Sequence, residues 1–344
     1  MEIEPAHFKA SSHGAAPTLI LAPLRGYTDA VFRNAFCRHF SGFHRAVAPF
    51  VPTVSGPKVR PGLLADLLPD DNRLLSVTPQ IIGKTAEDFL LVARALADRG
   101  YDQVNWNLGC PFPMVMKKGR GCGLLPHPEK IDAFLERVHA ADGLRVSVKL
   151  RLGRVDPDEI FDVLPVLNRY PLSEIVLHPR TAGQMYGGRP DWVRFSAVAA
   201  EAAHPVVYNG DINTVGDFQR LSHRFSGIGR WMIGRGVLVD PFLPSAIGGA
   251  PPPKNERVER FRAFHDDLVE GYRRRLSGPG HLLDRMKGFW KYFGIGFAGG
   301  RRAAKQIHRC RQMGRYQTLA EAFFDSGPAW TGLPDGACID EKII

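Results

Sequence analysis

Eight short apolar runs, each rich in β-branched residues and each followed by a helical pattern, constrain this 344-residue chain more than any other feature. They are TLILAP (18–23), RAVAP (45–49), VTPQIIG (77–83), DQVNWN (102–107), RVSVKL (145–150), EIVLH (174–178), PVVYN (205–209) and RWMIG (230–234). Helical patterns such as AEDFLLVARALADRG (86–100) and EKIDAFLERVHAA (129–141) fall between them, as do 158–167 and 214–221. Strands that are apolar along their whole length belong in a parallel sheet covered by helices. Eight such units in about 230 residues fit an α/β fold of the (β/α)8 TIM-barrel type. An open doubly wound sheet is the competing architecture.

After Gly248 the texture changes. The barrel reading covers 1–248, GGAPPPKN ends a Pro/Gly linker at 249–255, and 256–330 reads as a smaller all-α domain followed by a tail, 331–344. The net charge of +10 is concentrated there. From Lys254 to Arg315 there are 16 Lys or Arg against 6 Asp or Glu, and the rest of the chain sums to zero. A local basic surface implies either a polyanionic partner such as nucleic acid or a solvated helical face. The N-terminal stretch MEIEPAHFKASSHG lacks the basic-then-apolar order of a signal peptide, and no run of 18 apolar residues occurs. A cytoplasmic protein without membrane contact is expected. The five cysteines (Cys37, Cys110, Cys122, Cys310, Cys338) do not form a disulfide framework. Cys110, Cys122 and His127 lack zinc-site spacing, so no metal is expected.

A barrel of this kind builds its active site at the C-terminal strand ends. Those ends read Ala22-Pro23, Gln80, Asn107 to Cys110, Lys149, His178 with Arg180, Asn209-Gly210-Asp211 and Gly234-Arg235-Gly236. Singly, Lys149 could snorkel, His178 could be a satisfied core histidine and Asn-Gly-Asp a simple turn; their shared placement is the signal. The last two clusters offer free amides and the Arg235 guanidinium to a phosphate. No strand–GxGxxG–helix fingerprint opens the chain, so a phosphorylated cofactor across the barrel mouth fits better than a Rossmann dinucleotide. Lys149 and Gln80, read as opposite strand ends, would hold its polar edge. Between the fourth and fifth strands lies NLGCPFPMVMKKGRGCGLL (107–125), a Gly- and Lys-rich loop that presents Cys110 between Gly109 and Pro111.

These segments, with APLRGYTDAVFR (22–33), QIIG (80–83), VSVKLRLG (146–153), LHPRTAGQMYGGRPDW (177–192), NGDI (209–212) and MIGRG (232–236), resemble the bacterial tRNA-dihydrouridine synthases over the whole barrel and in the same order. The resemblance implies an FMN-dependent oxidoreductase that uses NADPH or NADH to reduce a D-loop uridine of tRNA to 5,6-dihydrouridine, with Cys110 as proton donor. It places Pro23, Leu24, Arg25, Gln80, Lys149, His178, Asn209, Gly210, Asp211, Gly234 and Arg235 around FMN. Asn107, Lys117, Arg151 and Arg180 would face the RNA, and the helical domain would grip the tRNA. A monomer is expected. The chain departs from the family pattern at Ala48, where a Glu is common, at Leu24 in place of Met, and at Cys122, a second thiol near the site that would invite oxidation. The same residues also admit a flavin reductase of free pyrimidines, a lyase using Lys149 as a Schiff base, and a non-catalytic RNA-binding module.

Overall fold

The structure is a computed structural model that describes residues 16–141, 143–337 and 339. The polar N-terminal stretch, Cys338 and the tail from 340 onward lie outside the described residues.

Ten parallel strand segments are present: β1 (Thr18–Leu21), β2 (Arg45–Val47), β3 (Val51–Pro52), β4 (Ser76–Thr78), β5 (Gln80–Ile82), β6 (Gln103–Leu108), β7 (Arg145–Gly153), β8 (Ile175–Thr181), β9 (Val206–Asn209) and β10 (Arg230–Ile233). Their order is β3-β5-β6-β7-β8-β9-β10-β1-β2-β4. The two ends of that order are halves of neighbouring staves, because β2 pairs with β4 while β3 pairs with β5. Pro79 separates β4 from β5; it has no N–H to donate, and its carbonyl accepts from Asn105 N at 2.8 Å. Ten segments therefore make eight staves, and β10 closes the ring on β1 from Thr18↔Arg230 to Leu21↔Ile233.

Side chains alternate across the wall. Ile20, Ala22, Val47, Val176, Val207 and Met232 fill the barrel interior. Leu19, Leu21, Val206 and Tyr208 point outward, into the layer beneath the helices. Those helices are α1 (Ala30–His39), α2 (Ala86–Ala97), α3 (Pro113–Met116), α4 (Pro128–His139), α5 (Glu159–Asn168), α6 (Trp192–Glu201), α7 (Val215–Arg224), α8 (Arg235–Val239) and α9 (Leu243–Ile247).

Two expectations need correction. The second stave is not followed by an α-helix: its crossover is two 3-10 segments, Pro61–Leu67 and Pro69–Asn72, with Leu64 and Leu67 buried in place of a helix face. Prolines 57, 61 and 69 in a short span remove amide donors and block a longer α-helix. Strands β7 and β8 also run beyond their expected ends at Leu150 and His178, to Gly153 and Thr181, where those two residues pair past a bulge. Lys149 and His178 therefore sit within strands, and a two-stranded rim rises above them.

Four more helices follow: α10 (Arg257–Arg275), α11 (Pro279–Phe293), α12 (Gly300–His308) and α13 (Met313–Asp325). They pack on the barrel through an aromatic seam. The Phe264 ring lies 5.7 Å from Phe32 and 5.0 Å from Phe40, and Phe289 lies 5.9 Å from Phe32. Tyr27, in the loop after β1, meets Phe289 and Tyr292 edge-on at 5.4 and 5.3 Å. Polar ties frame the seam. Asp29 caps α1 through Phe32 N and accepts from Tyr272 Oη at 2.7 Å, and Arg38 pairs with Asp267 at 2.6 Å. The apolar layer outside the barrel is continuous with the core of these helices.

Candidate active site

The C-terminal strand ends open into a cavity of about 320 Å³. Pro23, Leu24, Arg25, Asn107, Cys110, Lys149, Arg151, His178, Asn209, Gly210, Asp211, Gly234 and Arg235 all line it. Three of the residues expected at the site do not.

Gln80 is fully buried below the mouth. Its amide donates to Asn105 Oδ1 at 2.7 Å, and its carbonyl accepts from Asn107 Nδ2 at 2.7 Å. Only β6 separates β5 from β7, so Gln80 and Lys149 flank one strand and do not face each other across the barrel. Arg180 is also buried, behind the cavity wall. Its guanidinium pairs with Asp211 at 2.5 Å and donates to the carbonyls of Gly187 and Gly188 at 3.1 and 2.7 Å. Every direction it can donate in is taken by protein, so it shapes the rim. Lys117 is exposed on the far side of the Cys110 loop, against a different cleft.

The loop is built on Asn107. Its Oδ1 accepts from the amides of Gly109 and Cys110 at 3.0 and 2.9 Å, folding the chain back as it leaves β6. The loop then runs through α3 and returns at Gly121, whose backbone has φ +57°. A Cβ there would lie 2.8 Å from the Cys110 carbonyl oxygen and 2.9 Å from Cys110 Cβ, so glycine is the residue that fits. Cys122 N donates to the Cys110 carbonyl at 3.2 Å. Its own side chain is fully buried in the outer core, with its thiol pushed up to about 12 by burial. This corrects the expectation of an oxidation-prone second thiol: packing shields it from solvent and holds it protonated. Cys110 also has its thiol pushed upward by burial, partly offset by a backbone hydrogen bond from Phe112 and by the nearby charges of Arg151, Arg25 and Lys149. It is a protonated thiol at neutral pH, suited to giving up a proton and poorly suited to nucleophilic attack.

The wall beside the loop is cationic. Burial, and then the charge of Arg151, lower Lys149 to about 7. His178 is held far below its usual value by burial and by Arg151, Lys149, Arg180 and Arg235, so it is neutral. Its Nε2 lies 3.1 Å from Arg180 Nη1 and accepts from it, which leaves the proton on Nδ1. Arg151 donates to the carbonyls of Gly109, Thr181 and Met185 at 3.2, 2.9 and 2.5 Å, tying the Cys110 loop to the β8 rim. Arg235 pairs with Asp211 at 3.2 Å and donates to the Ile339 carbonyl at 3.0 Å. Asp211 itself has φ +42°, the left-handed region, which turns the Asn-Gly-Asp backbone toward the cavity.

Aromatic residues complete the mouth: Tyr27, Phe50, Phe112, Tyr186 and Tyr292. Tyr186 lies under Arg235 and Arg151, with guanidinium carbons 4.5 and 5.4 Å from its ring centre. The sequence alone assigns these residues no role, although Tyr27, Phe112 and Tyr186 fall inside segments that carry the family resemblance. Tyr292 comes from α11 and meets Tyr27, more than 260 residues before it in sequence. Among the described residues no group of three His, Cys, Asp or Glu side chains is placed to hold a metal, and no helix is long and apolar enough to cross a membrane.

A closed (β/α)8 barrel whose mouth combines a protonated thiol, a cationic wall and aromatic faces belongs to the barrel enzymes. The family described as Dihydrouridine synthase (Dus) matches residues 20–281, and this chain belongs to that family. A probable tRNA-dihydrouridine synthase of Rhodobacter capsulatus is 31% identical over 78% of this chain and 82% of its own length. One from Staphylococcus epidermidis is 32% identical over 89% and 94%. A tRNA-dihydrouridine(16) synthase of Cupriavidus necator is 31% identical over 67% and 73%.

Proposed function

We propose that the protein reduces the C5–C6 double bond of a D-loop uridine in tRNA, taking hydride from FMN that NADPH or NADH has reduced. The observation that carries this reading is the buried, protonated Cys110 thiol facing a cationic, aromatic cavity in a chain of this family. The residues fit a phosphorylated flavin. Lys149 is a desolvated cation with no carboxylate partner among the described residues, so an anionic ring edge would restore its charge. Arg235 and the turned backbone of Gly210 and Asp211 would hold the phosphate, with Gly234, Asn209, His178, Pro23, Leu24 and Arg25 around the cofactor.

FMN, when bound, would supply the hydride that goes to C6 of the uracil. The chain's own residues do the rest. Cys110 Sγ–H donates the proton to C5, and Asn107 and Arg151 fix the loop that carries it. Tyr186, Phe112 and Tyr292 offer faces to a base that has left its stack, an extrusion that costs a few kcal/mol. Gln80 acts beneath the site by orienting Asn107, and Arg180 by orienting Asp211. The barrel (1–248) would perform the chemistry and the helical region (256–330), joined by 249–255, would grip the tRNA in a monomeric, cytoplasmic enzyme. On α11, α12, the turn after them and the first turn of α13, Lys287, Lys291, Arg301, Arg302, Lys305, Arg309, Arg311 and Arg315 have no ion pair among the described residues, as a phosphate-binding face requires.

A lyase would welcome Lys149 at about 7 as an amine nucleophile, but it leaves Cys110 and the family match without a role. The test is dihydrouridine content, mapped by position, in tRNA from cells lacking this gene and complemented with wild type or Cys110→Ala. Loss at one D-loop position, restored by wild type alone, supports the proposal. Survival of every dihydrouridine in a strain without another synthase overturns it.

A further inference from the structure

Outside the mouth lies a strongly cationic cleft of about 540 Å³ between the starts of α2 and α4, behind the Cys110 loop. Lys84, Lys117, Lys130, Arg137 and Arg154 line it against one carboxylate, Glu87, and that carboxylate is already paired with Arg137. His127 also lines the cleft and lies 3.5 Å from Glu129. Lys84, Lys117, Lys130 and Arg154 have no ion pair among the described residues. Elsewhere on the barrel surface Arg73, Arg145, Arg169, Arg194 and Arg220 each have a carboxylate partner. Four uncompensated cations around one hollow repel one another unless an anion sits between them. Both helices begin at this cleft, so their amide dipoles add to the same field.

We infer that this cleft is a second phosphate-binding site, and that it takes backbone phosphate of the RNA strand beside the extruded nucleotide; the inference rests on the tRNA reading above. Its position selects that occupant. One stretch of chain has Gly109 to Phe112 on the mouth and Met116 to Gly119, Gly123 and Leu124 on the cleft, so the two hollows are a single loop apart. The basic helices dock on α1, beside β1 and β2, whereas the cleft lies above β5 to β7 on another side of the ring. A strand held at both places crosses the mouth between them, and the base it presents there is fixed from two directions. The cleft wall is also the back of the loop that carries Cys110, so phosphate bound there holds the thiol in place.

The experiment uses the full-length, FMN-loaded enzyme and unmodified tRNA transcript. Lys84→Ala, Lys130→Ala and Arg154→Ala are combined, and a control triple, Arg94→Ala, Arg145→Ala and Arg169→Ala, removes equal charge at the other end of the barrel. The cleft triple should weaken tRNA binding at least about tenfold. It should also flatten the plot of log affinity against log salt by about two units, since each phosphate that the protein neutralises on a single strand adds roughly 0.7 to the slope. The control triple should do neither. Flavin reduction by NADPH without RNA should be the same in both, and Lys84→Arg with Lys130→Arg should bind as wild type does. Wild-type tRNA affinity and salt slope in a cleft triple that melts normally overturn the inference. So does a raised KM for NADPH with tRNA binding intact, which would assign the phosphate to the reductant. If wild type itself binds no tRNA, the functional reading falls first and the cleft assignment with it.

Discussion

Asn107 Oδ1 accepts both the Gly109 and the Cys110 amide, at 3.0 and 2.9 Å, while its own amide donates to Gln80 at 2.7 Å. One side chain thus joins the barrel interior to the loop that carries the thiol. Asn107→Ala leaves two loop amides and the Gln80 carbonyl without partners in a buried place. The expected cost is about 1–3 kcal/mol in urea unfolding. Turnover should fall by more than KM rises, because the thiol loses its position. Unchanged stability would mean that water replaces the side chain.

Cys110→Ala should slow dihydrouridine formation about 100- to 10,000-fold, the usual contribution of a positioned acid. Reduction of the flavin by NADPH should be untouched. Burial raises the thiol, so its protonated form persists through neutral pH and is lost only above the ordinary thiol range. Single-turnover rates on tRNA should be level near neutrality and decline on the alkaline side. A decline on the acid side instead would point to a thiolate.

Lys149 carries a charge in an expensive place. Its folded value of about 7 lies below its ordinary 10.5, so below pH 7 the cofactor-free protein bears the full cost of a buried ammonium. Between 7 and 10.5 the unfolded chain holds more protons at this site, and the cost fades as pH rises. Lys149→Met should therefore stabilise the cofactor-free protein most at about pH 6 and hardly at about pH 10, while weakening flavin binding. Denaturant midpoints across that range are the check.

Arg180 is a structural arginine, and its variants should behave accordingly. Arg180→Ala leaves two rim carbonyls without their donor and Asp211 with Arg235 alone, at an expected cost of about 1–3 kcal/mol. Arg180→Lys should recover little, because an ammonium cannot reproduce the fork that spans Asp211 and the Gly187–Gly188 backbone. A fully stable Arg180→Ala that loses only RNA affinity would restore the RNA-contact role.

The barrel should not survive alone. A fragment ending at 248 exposes Phe32, Tyr27 and Phe40, which now pack on Phe264, Phe289 and Tyr292. It should aggregate or bind a hydrophobic dye, whereas the full chain stays monomeric at the same concentration. A soluble, cooperatively melting fragment would show that the seam is dispensable.

The strands were legible because residues such as Leu19 and Ile20 are buried on both sides of the wall, which leaves continuous apolar runs. The mouth was legible because Asn107, Lys149, His178 and Asn209 are polar where such runs end. Directions were not legible. Nothing in His178-Pro179-Arg180 says that one side chain meets the cavity while the other turns behind it, because that depends on how far β8 runs past the rim. Gln80 reads as a strand-end ligand until its amide is seen spent on Asn105 and Asn107. Tyr292 could not be assigned because its partner, Tyr27, is far away in sequence and the two meet only through the docking of α11.

The ring closes only when Arg230 to Ile233 reach Thr18 to Leu21, and the mouth is finished only when Tyr292 and Ile339 arrive. During synthesis the thiol loop is therefore made well before Arg230 to Ile233, Tyr292 and Ile339, and waits for them. Pairings this distant in sequence form slowly. The centre is therefore assembled only once residues more than two hundred positions apart have met.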